Sequence, residues 1–312
     1  MDLKGRLSRR EMLKLSGGAL AGASLLGVAG CGSSGGGSGS ASKSLTLGSI
    51  GWTENIAVSN LTKVALGDEM GYDVQLKGPL DLGPMFQGLA SGDLDAFQDV
   101  WLPNHEQYLS KPQIKPQVEV LKPWYQGTTK YGITVLGYMK GITSIADLPK
   151  AGTKEITGIE PGAAFMPVIE DTVIPEYNLD KAGIKLVTSS TAGMLAEVQK
   201  KNAAKEPIIF TGWSPHWMNL KYDIVYLDDP KNAQGAFDNP SKITCAVNKD
   251  LETDDAAAYA YLKAISLTED QINEIEAEMN KAGTGNEEKG VRNWYKKNKD
   301  VVKPWIDAAK NA

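Results

Sequence analysis

The sequence predicts an α/β fold built as two lobes, and two observations lead to this prediction. From residue 45 onward, short strand-like runs take turns with segments of helical periodicity, a rhythm typical of α/β proteins with mostly parallel sheets. The chain of 312 residues is also longer than one ordinary domain. Two lobes account for both the rhythm and the length.

The predicted elements follow one another in a regular order. Residues 45–50 alternate apolar and polar side chains, whereas Ile56, Leu61 and Val64 recur at helical spacing. Predicted strands cover 45–50, 72–76, 96–100, 155–159, 184–187 and 207–211. Predicted helices cover 55–70, 84–90, 162–177, 191–201 and 289–311. Thr268, with Gln271 three residues later, is a capping signal that starts one more helix.

The chain is expected to pass twice between the lobes. Segments 128–135 and 242–247 look like the crossings, because the stretch between them has its own alternation of strands and helices. Lobe one would then comprise 45–131 and 246–312, and lobe two 132–245.

The first 44 residues are typical of export and tethering. Paired Arg9 and Arg10 precede a mildly apolar stretch, which predicts a twin-arginine-like export signal over 1–30. A membrane-spanning helix is disfavoured, since about 20 strongly apolar residues are needed to span. Residues 28–31 resemble a lipobox that ends at Cys31, the expected lipidation site, and 31–44 form a Gly/Ser-rich tether.

Composition excludes several classes of function. The formal charge of −5 comes with no basic stripe, which argues against nucleic-acid binding. With Cys31 lipidated, Cys245 has no disulfide partner and is expected to be a buried thiol. The two histidines form no cluster with metal-ligand spacing, and no nucleophile motif is present. We therefore expect no cofactor, no metal and no catalysis.

Three tryptophans stand at the ends of predicted strands. Trp52, Trp101 and Trp213 each follow an apolar run and precede a loop. Ligands of open α/β sheets bind beyond the carboxyl ends of strands, so these indoles are expected to converge on one cleft. Core packing is the alternative for any single tryptophan, and we prefer it for Trp124, Trp294 and Trp305.

Converging indole faces suit a quaternary ammonium group. Such a cation has no N–H donor, and it gains about 2 kcal/mol or more over a desolvated indole face. The turn at 158–163 ends a strand and opens a helix, where free amides favour an anion such as a carboxylate. His216, three residues after Trp213, is a further candidate donor.

At these motifs the chain resembles the glycine betaine/proline betaine substrate-binding proteins of osmoprotectant ABC importers. The resemblance covers residues 45–280. It is carried by Trp-Thr-Glu-Asn at 52–55, Gly-Asp-Leu-Asp-Ala at 92–96, Trp-Leu-Pro at 101–103, Thr-Lys-Tyr-Gly at 129–132, Gly-Ile-Glu-Pro-Gly-Ala at 158–163 and Thr-Gly-Trp-Ser-Pro-His-Trp-Met at 211–218.

The resemblance implies a type II-like periplasmic-binding-protein fold, with the ligand cleft between lobes joined by two crossing strands. It implies a cage of Trp52, Trp101 and Trp213. Contacts to the ligand carboxylate would come from His216, Gly162 and Ala163. The partners implied are an ABC permease and its ATPase, with the protein itself monomeric, extracytoplasmic and held at the membrane by lipidated Cys31.

Several alternatives stay open. Within the same class, the ligand would be choline or carnitine. An exported hydrolase using Asp99 or Glu54 is a rival from another class, as is a surface adhesion lipoprotein. Glu54 is interpreted either as a partner of the cage or as a helix cap. Tyr131 either lines the cleft or packs between the lobes, and packing is preferred.

Overall fold

The computed structural model describes residues 43–312, so the predicted export signal, Cys31 and the tether through residue 42 lie outside the described residues. Its ten named strands form two five-stranded sheets. They are β1 Ser44–Gly48, β2 Asp73–Lys77, β3 Ala96–Leu102, β4 Val118–Pro123, β5 Lys130–Leu136, β6 Glu155–Thr157, β7 Lys185–Val187, β8 Ile209–Ser214, β9 Ile224–Tyr226 and β10 Lys242–Asn248.

Helices connect and cover the two sheets. The α-helices are α1 Thr53–Met70, α2 Leu82–Ser91, α3 Glu106–Leu109, α4 Phe165–Val168, α5 Ile174–Glu176, α6 Thr191–Ala204, α7 Met218–Lys221, α8 Leu251–Asp254, α9 Ala256–Ala264, α10 Glu269–Ala282, α11 Glu287–Lys297 and α12 Lys299–Lys310. Short 3₁₀ segments cover Lys115–Gln117, Ile145–Lys150 and Gly235–Asp238, and a π-helical turn covers Ile169–Val173.

The two sheets share one topology. Their strand orders are β2-β1-β3-β10-β4 and β7-β6-β8-β5-β9. The prediction of mostly parallel sheets was wrong: each sheet has two parallel and two antiparallel pairings. The reason is that β10 and β5 each enter their sheet from the side of the other sheet, instead of through a helical crossover, and run against both of their neighbours.

The chain passes between the sheets twice. The first passage lies between the end of β4 and the start of β5, and the second between the end of β9 and the start of β10. The two passages are hydrogen-bonded to each other, because Thr129 Oγ1 donates to the Ser241 carbonyl at 3.1 Å and accepts the Ser241 N–H at 2.6 Å. The lobe bounds at 131/132 and 245/246 stay a prediction.

The helix predictions hold with two adjustments. The capping box is confirmed: Thr268 and Gln271 cap α10 reciprocally. The helix predicted over 162–177 begins at Phe165 and contains the π-helical turn. The single helix predicted over 289–311 is two, because Asn298 leaves the helical backbone region and its side chain donates to the Trp294 carbonyl at 3.0 Å.

No helix among residues 43–312 is long and apolar enough to span a bilayer. The same part of the chain contains no cluster of three or more His, Cys, Asp or Glu side chains arranged to hold a metal ion. Cys245 is buried in β10, and burial raises the pKa of its thiol above the ordinary value.

Candidate functional site

An aromatic cavity with an empty volume of about 330 Å³ lies between the two sheets. Trp52, Glu54, Trp101, Asn104 and His105 line it from segments that follow or end strands of the first sheet. The side formed by the second sheet and its loops contributes Tyr131, Ile159, Ala164, Phe165, Trp213 and Phe237.

The three strand-end tryptophans meet at this cavity. Trp52 follows β1 by four residues and directly precedes α1, whereas Trp101 and Trp213 are the penultimate residues of β3 and β8. Their exposed fractions are only 7%, 3% and 2%, so their faces are largely out of water. By contrast, Trp124, Trp294 and Trp305 are buried and lie outside the described lining of the cavity.

Two of the cavity indoles are held by buried carboxyl groups. Trp101 Nε1 donates to Asp99 Oδ1 at 2.8 Å, and Trp213 Nε1 donates to Glu54 Oε2 at 3.1 Å. The second bond joins the first turn of α1, beside the first sheet, to β8 of the second sheet. Trp52 Nε1 is buried and makes no hydrogen bond within the described chain.

Tyr131 completes the aromatic wall instead of only packing between the lobes. Its ring lies 6.1 Å from Trp101 and 6.1 Å from Trp213, measured between centroids. Phe165 and Phe237 also lie near this ring, at 5.0 Å and 5.5 Å between centroids. Tyr131 is the second residue of β5, so it reaches the cavity directly after the first passage between sheets.

His216 lies next to the cavity but is not among its described lining residues. Its Nδ1 accepts the Met218 N–H at 3.1 Å, which leaves the proton on Nε2, 2.9 Å from Thr53 Oγ1. Burial lowers the pKa of His216 to about 3, so the ring is neutral and Nε2–H is a donor. This donor joins the region after β8 to the first turn of α1.

Gly162 and Ala163 stand just before the residues that reach the cavity. A side chain at position 162 would meet the Asp81 carboxylate, since a Cβ there would lie 2.4 Å from Oδ1. The Ala163 N–H is used within the turn, where it donates to the Glu160 carbonyl at 2.9 Å. Ala164 and Phe165 line the cavity, at the start of a helical segment whose first amides have no intrahelical acceptor.

Sequence reasoning missed His105 and Phe237 as lining residues. His105 Nδ1 accepts the Trp101 N–H at 3.2 Å, and its ring centroid lies 6.0 Å from that of Trp52. Its position four residues after a strand-end tryptophan was an available signal. Phe237 belongs to the 3₁₀ segment before β10, and no pattern in the sequence marked it.

Two similar lobes around a buried aromatic cavity define a periplasmic-binding-protein fold, in which a ligand binds between the lobes. The chain belongs to the family of substrate-binding domains of ABC-type glycine betaine transport systems, whose model matches residues 43–297.

Similar proteins agree with this assignment. A glycine betaine/carnitine transport binding protein of Listeria monocytogenes, GbuC, is 40% identical over 161 residues. That match spans 52% of this chain and about half of the relative's length, 52%. Lactococcal OpuAC, crystallised closed with glycine betaine, is 32% identical with a TM-score of 0.75, and the alignment covers 85% of this chain and 99% of that one.

A further solved structure is a glycine betaine/L-proline binding protein of Borrelia burgdorferi. It is 29% identical, with a TM-score of 0.76 over 86% of this chain and 99% of that one. The predicted fold class is therefore confirmed.

Proposed function

We propose that this protein is the extracytoplasmic binding component of an ABC importer and that it captures glycine betaine or a close quaternary-ammonium relative. The observation that carries the proposal is the meeting of three buried indoles at one cavity between two lobes. A methylated cation needs flat, electron-rich faces more than hydrogen-bond acceptors, and indoles supply the strongest such faces.

The carboxylate of the ligand would be bound at the opposite end from the indoles. Amides at the start of the helical segment, around Gly162, Ala163 and Ala164, favour an anion, and the Ala163 N–H would exchange its bond to the Glu160 carbonyl for one to the ligand. His216 would contribute Nε2–H by exchanging its bond to Thr53 Oγ1 for one to the ligand. Its neutral state supports the role of a donor that neither adds charge nor loses its proton near pH 7.

Membership of the family supports partnership with a permease and an ATPase at the outer face of a membrane. In the proposal, the signal at 1–30 exports the chain, Cys31 carries the lipid, and the tether lets a monomeric binding domain reach the permease. Radiolabelled acyl incorporation that is lost in Cys31→Ser would support the anchor, and equal labelling of both proteins would refute it.

Titration calorimetry tests the ligand. Glycine betaine, proline betaine, carnitine, choline and proline would each be added to the purified domain. We expect the methylated zwitterions to bind and proline, whose secondary ammonium carries N–H donors, to bind far more weakly. Absence of heat with every quaternary ammonium compound would overturn the proposed function.

A further inference from the structure

Three buried carboxyl groups form a cluster behind the tryptophans: Glu54 of α1, Asp99 of β3 and Glu276 of α10. Each is at most 1% exposed. Glu54 and Asp99 each accept an indole N–H, and Glu276 Oε2 accepts the Trp217 backbone N–H at 2.6 Å. The second oxygen of every one of these carboxyls is buried without a hydrogen-bond partner.

The cluster has no basic partner within residues 43–312. None of the ion pairs there includes these carboxyls. Burial, with repulsion from Asp99 and Glu276, raises the pKa of Glu54 well above its ordinary value, and burial raises the pKa of Glu276 to about 8. An ionised form of this cluster therefore needs a counter-charge from outside.

The aromatic cavity is where such a counter-charge can arrive. Glu54 lines the cavity, and its Oε1 is buried without a hydrogen-bond partner. A quaternary ammonium cannot donate a hydrogen bond, so Glu54 would act on it through charge alone. An indole that donates its N–H to an anionic acceptor also presents a more negative face, which strengthens its attraction for a cation.

We infer that Glu54 and Asp99 determine the specificity of the site for a positively charged headgroup: they orient two cavity indoles through the N–H groups, and the bound cation is the counter-charge of their carboxyl cluster. The inference rests on the proposed function and extends it. In this inference, Glu54 and Asp99 let the site discriminate between a cation and an uncharged group of the same shape, which tryptophan faces alone do not do.

Proton linkage follows from the same arrangement. The titratable side chains that face the three carboxyls are Tyr131 of β5, His105 after β3, His216 after β8, and Tyr125, which interacts with both Glu276 and Glu269. Burial lowers the pKa of both histidines to about 3 and raises that of both tyrosines, so these four stay neutral near pH 7. A bound cation stabilises the ionised form of the carboxyls. By thermodynamic reciprocity, ionisation of the carboxyls strengthens cation binding, so the affinity for a cationic ligand should rise with pH.

Calorimetry with two ligands of one shape separates charge from packing. Glycine betaine would be compared with 3,3-dimethylbutanoate, which has carbon in place of the ammonium nitrogen. At pH 8, Glu54→Gln and Asp99→Asn are each expected to weaken glycine betaine by about tenfold and to change the isostere by less than about twofold. The deficit in glycine betaine affinity should shrink as the pH falls, because protonated wild type resembles the amide variants.

Glu274→Gln is the matched control. Glu274 Oε2 accepts the Trp294 indole N–H at 2.9 Å, the same kind of bond outside the cavity, so this variant should bind both ligands as wild type does. If both cluster variants lost the same affinity for glycine betaine and for its isostere, or if the losses did not depend on pH, the inference would be overturned. A wild-type protein that binds no glycine betaine would instead overturn the proposed function itself.

Discussion

At the residue scale, the binding energy is expected to depend on the indole faces at the cavity. Trp52→Ala, Trp101→Ala and Trp213→Ala should each weaken glycine betaine by roughly 1–3 kcal/mol, because each removes a desolvated cation–π face and its packing. Calorimetry of each variant measures the loss, and Phe replacements should lose less. Trp305→Ala is the control, since Trp305 packs against Tyr261 at a ring distance of 6.1 Å, away from the cavity; unchanged affinity in all three strand-end variants would contradict the cage.

Nε2–H of His216 can serve one of two roles, as a donor to the ligand carboxylate or as a donor to Thr53. If Nε2–H turns to the ligand carboxylate, His216→Ala removes a hydrogen bond to a charged group worth about 1.5–3 kcal/mol, so glycine betaine should weaken by roughly tenfold to a hundredfold. Choline, which carries a hydroxyl instead, should weaken much less. If His216 only joins β8 to α1 through Thr53, the variant should lose the same affinity for glycine betaine and for choline.

Thr53→Val separates these roles further. It removes the Thr53 hydroxyl but keeps the imidazole, so the competition for Nε2–H disappears. We expect unchanged or tighter glycine betaine binding in calorimetry. A loss as large as that of His216→Ala would assign His216 to lobe contact alone.

The residues of the cavity differ in how far the sequence could predict them. The tryptophans were predictable because each stands where an apolar strand ends, a local signal. Glu54 was predicted as either a cage partner or a cap, and the structure shows its carboxylate accepting the indole N–H of Trp213, a residue 159 positions away. Phe237 reaches the cavity only because the second passage between sheets returns there, and no local pattern encodes that path.

At the element scale, six predicted strands were found, whereas β4 and β9 were missed for physical reasons. β4 is an edge strand with a mostly exposed pattern, and β9 has only three half-buried residues. Neither carries the apolar alternation that marks a strand with one buried face. The antiparallel pairing of β5 and β10 was also not predictable from the sequence, because strand direction depends on the passages between sheets and not on the composition of any strand.

The two passages are themselves an element whose stability can be measured. Thr129→Val should lower the free energy of unfolding by about 1–3 kcal/mol, because it leaves the buried Ser241 N–H without its acceptor. Urea denaturation followed by circular dichroism checks this value. The exposed neighbour Thr128 offers the control Thr128→Val, and equal stability of the two variants would show that the Thr129–Ser241 bonds contribute nothing.

At the scale of the whole molecule, two hydrogen bonds between the halves lie at the first turn of α1. Thr53 and Glu54 are consecutive residues there, and they bond His216 and Trp213 from the other side. The groups expected to sense the ligand therefore also hold the halves together. Since each half supplies only part of the cavity, binding and closure are expected to be coupled.

Buried ionisable groups make the stability of the ligand-free protein depend on pH in a direction that can be worked out. Burial raises the folded-state pKa of Glu54, Asp99 and Glu276, to about 8 for Glu276. Their stabilising contribution is therefore complete below the unfolded values near 4 and is lost as pH rises toward the folded pKa. For His105 and His216, whose pKa burial lowers to about 3, stability is lost as pH falls below about 6.5.

Above pH 6.5 the histidines are neutral in both states, so only the carboxyls act. We expect the free energy of unfolding to fall between about pH 6.5 and 8, by at most about 1.4 kcal/mol per pH unit for each titrating carboxyl. Urea denaturation at half-unit steps measures the slope, which Glu276→Gln should reduce. Glu206→Gln is the control, because the pKa of this surface carboxyl is lowered by Lys201 and it is already ionised throughout; a flat or rising profile in the wild type would contradict the protonated cluster.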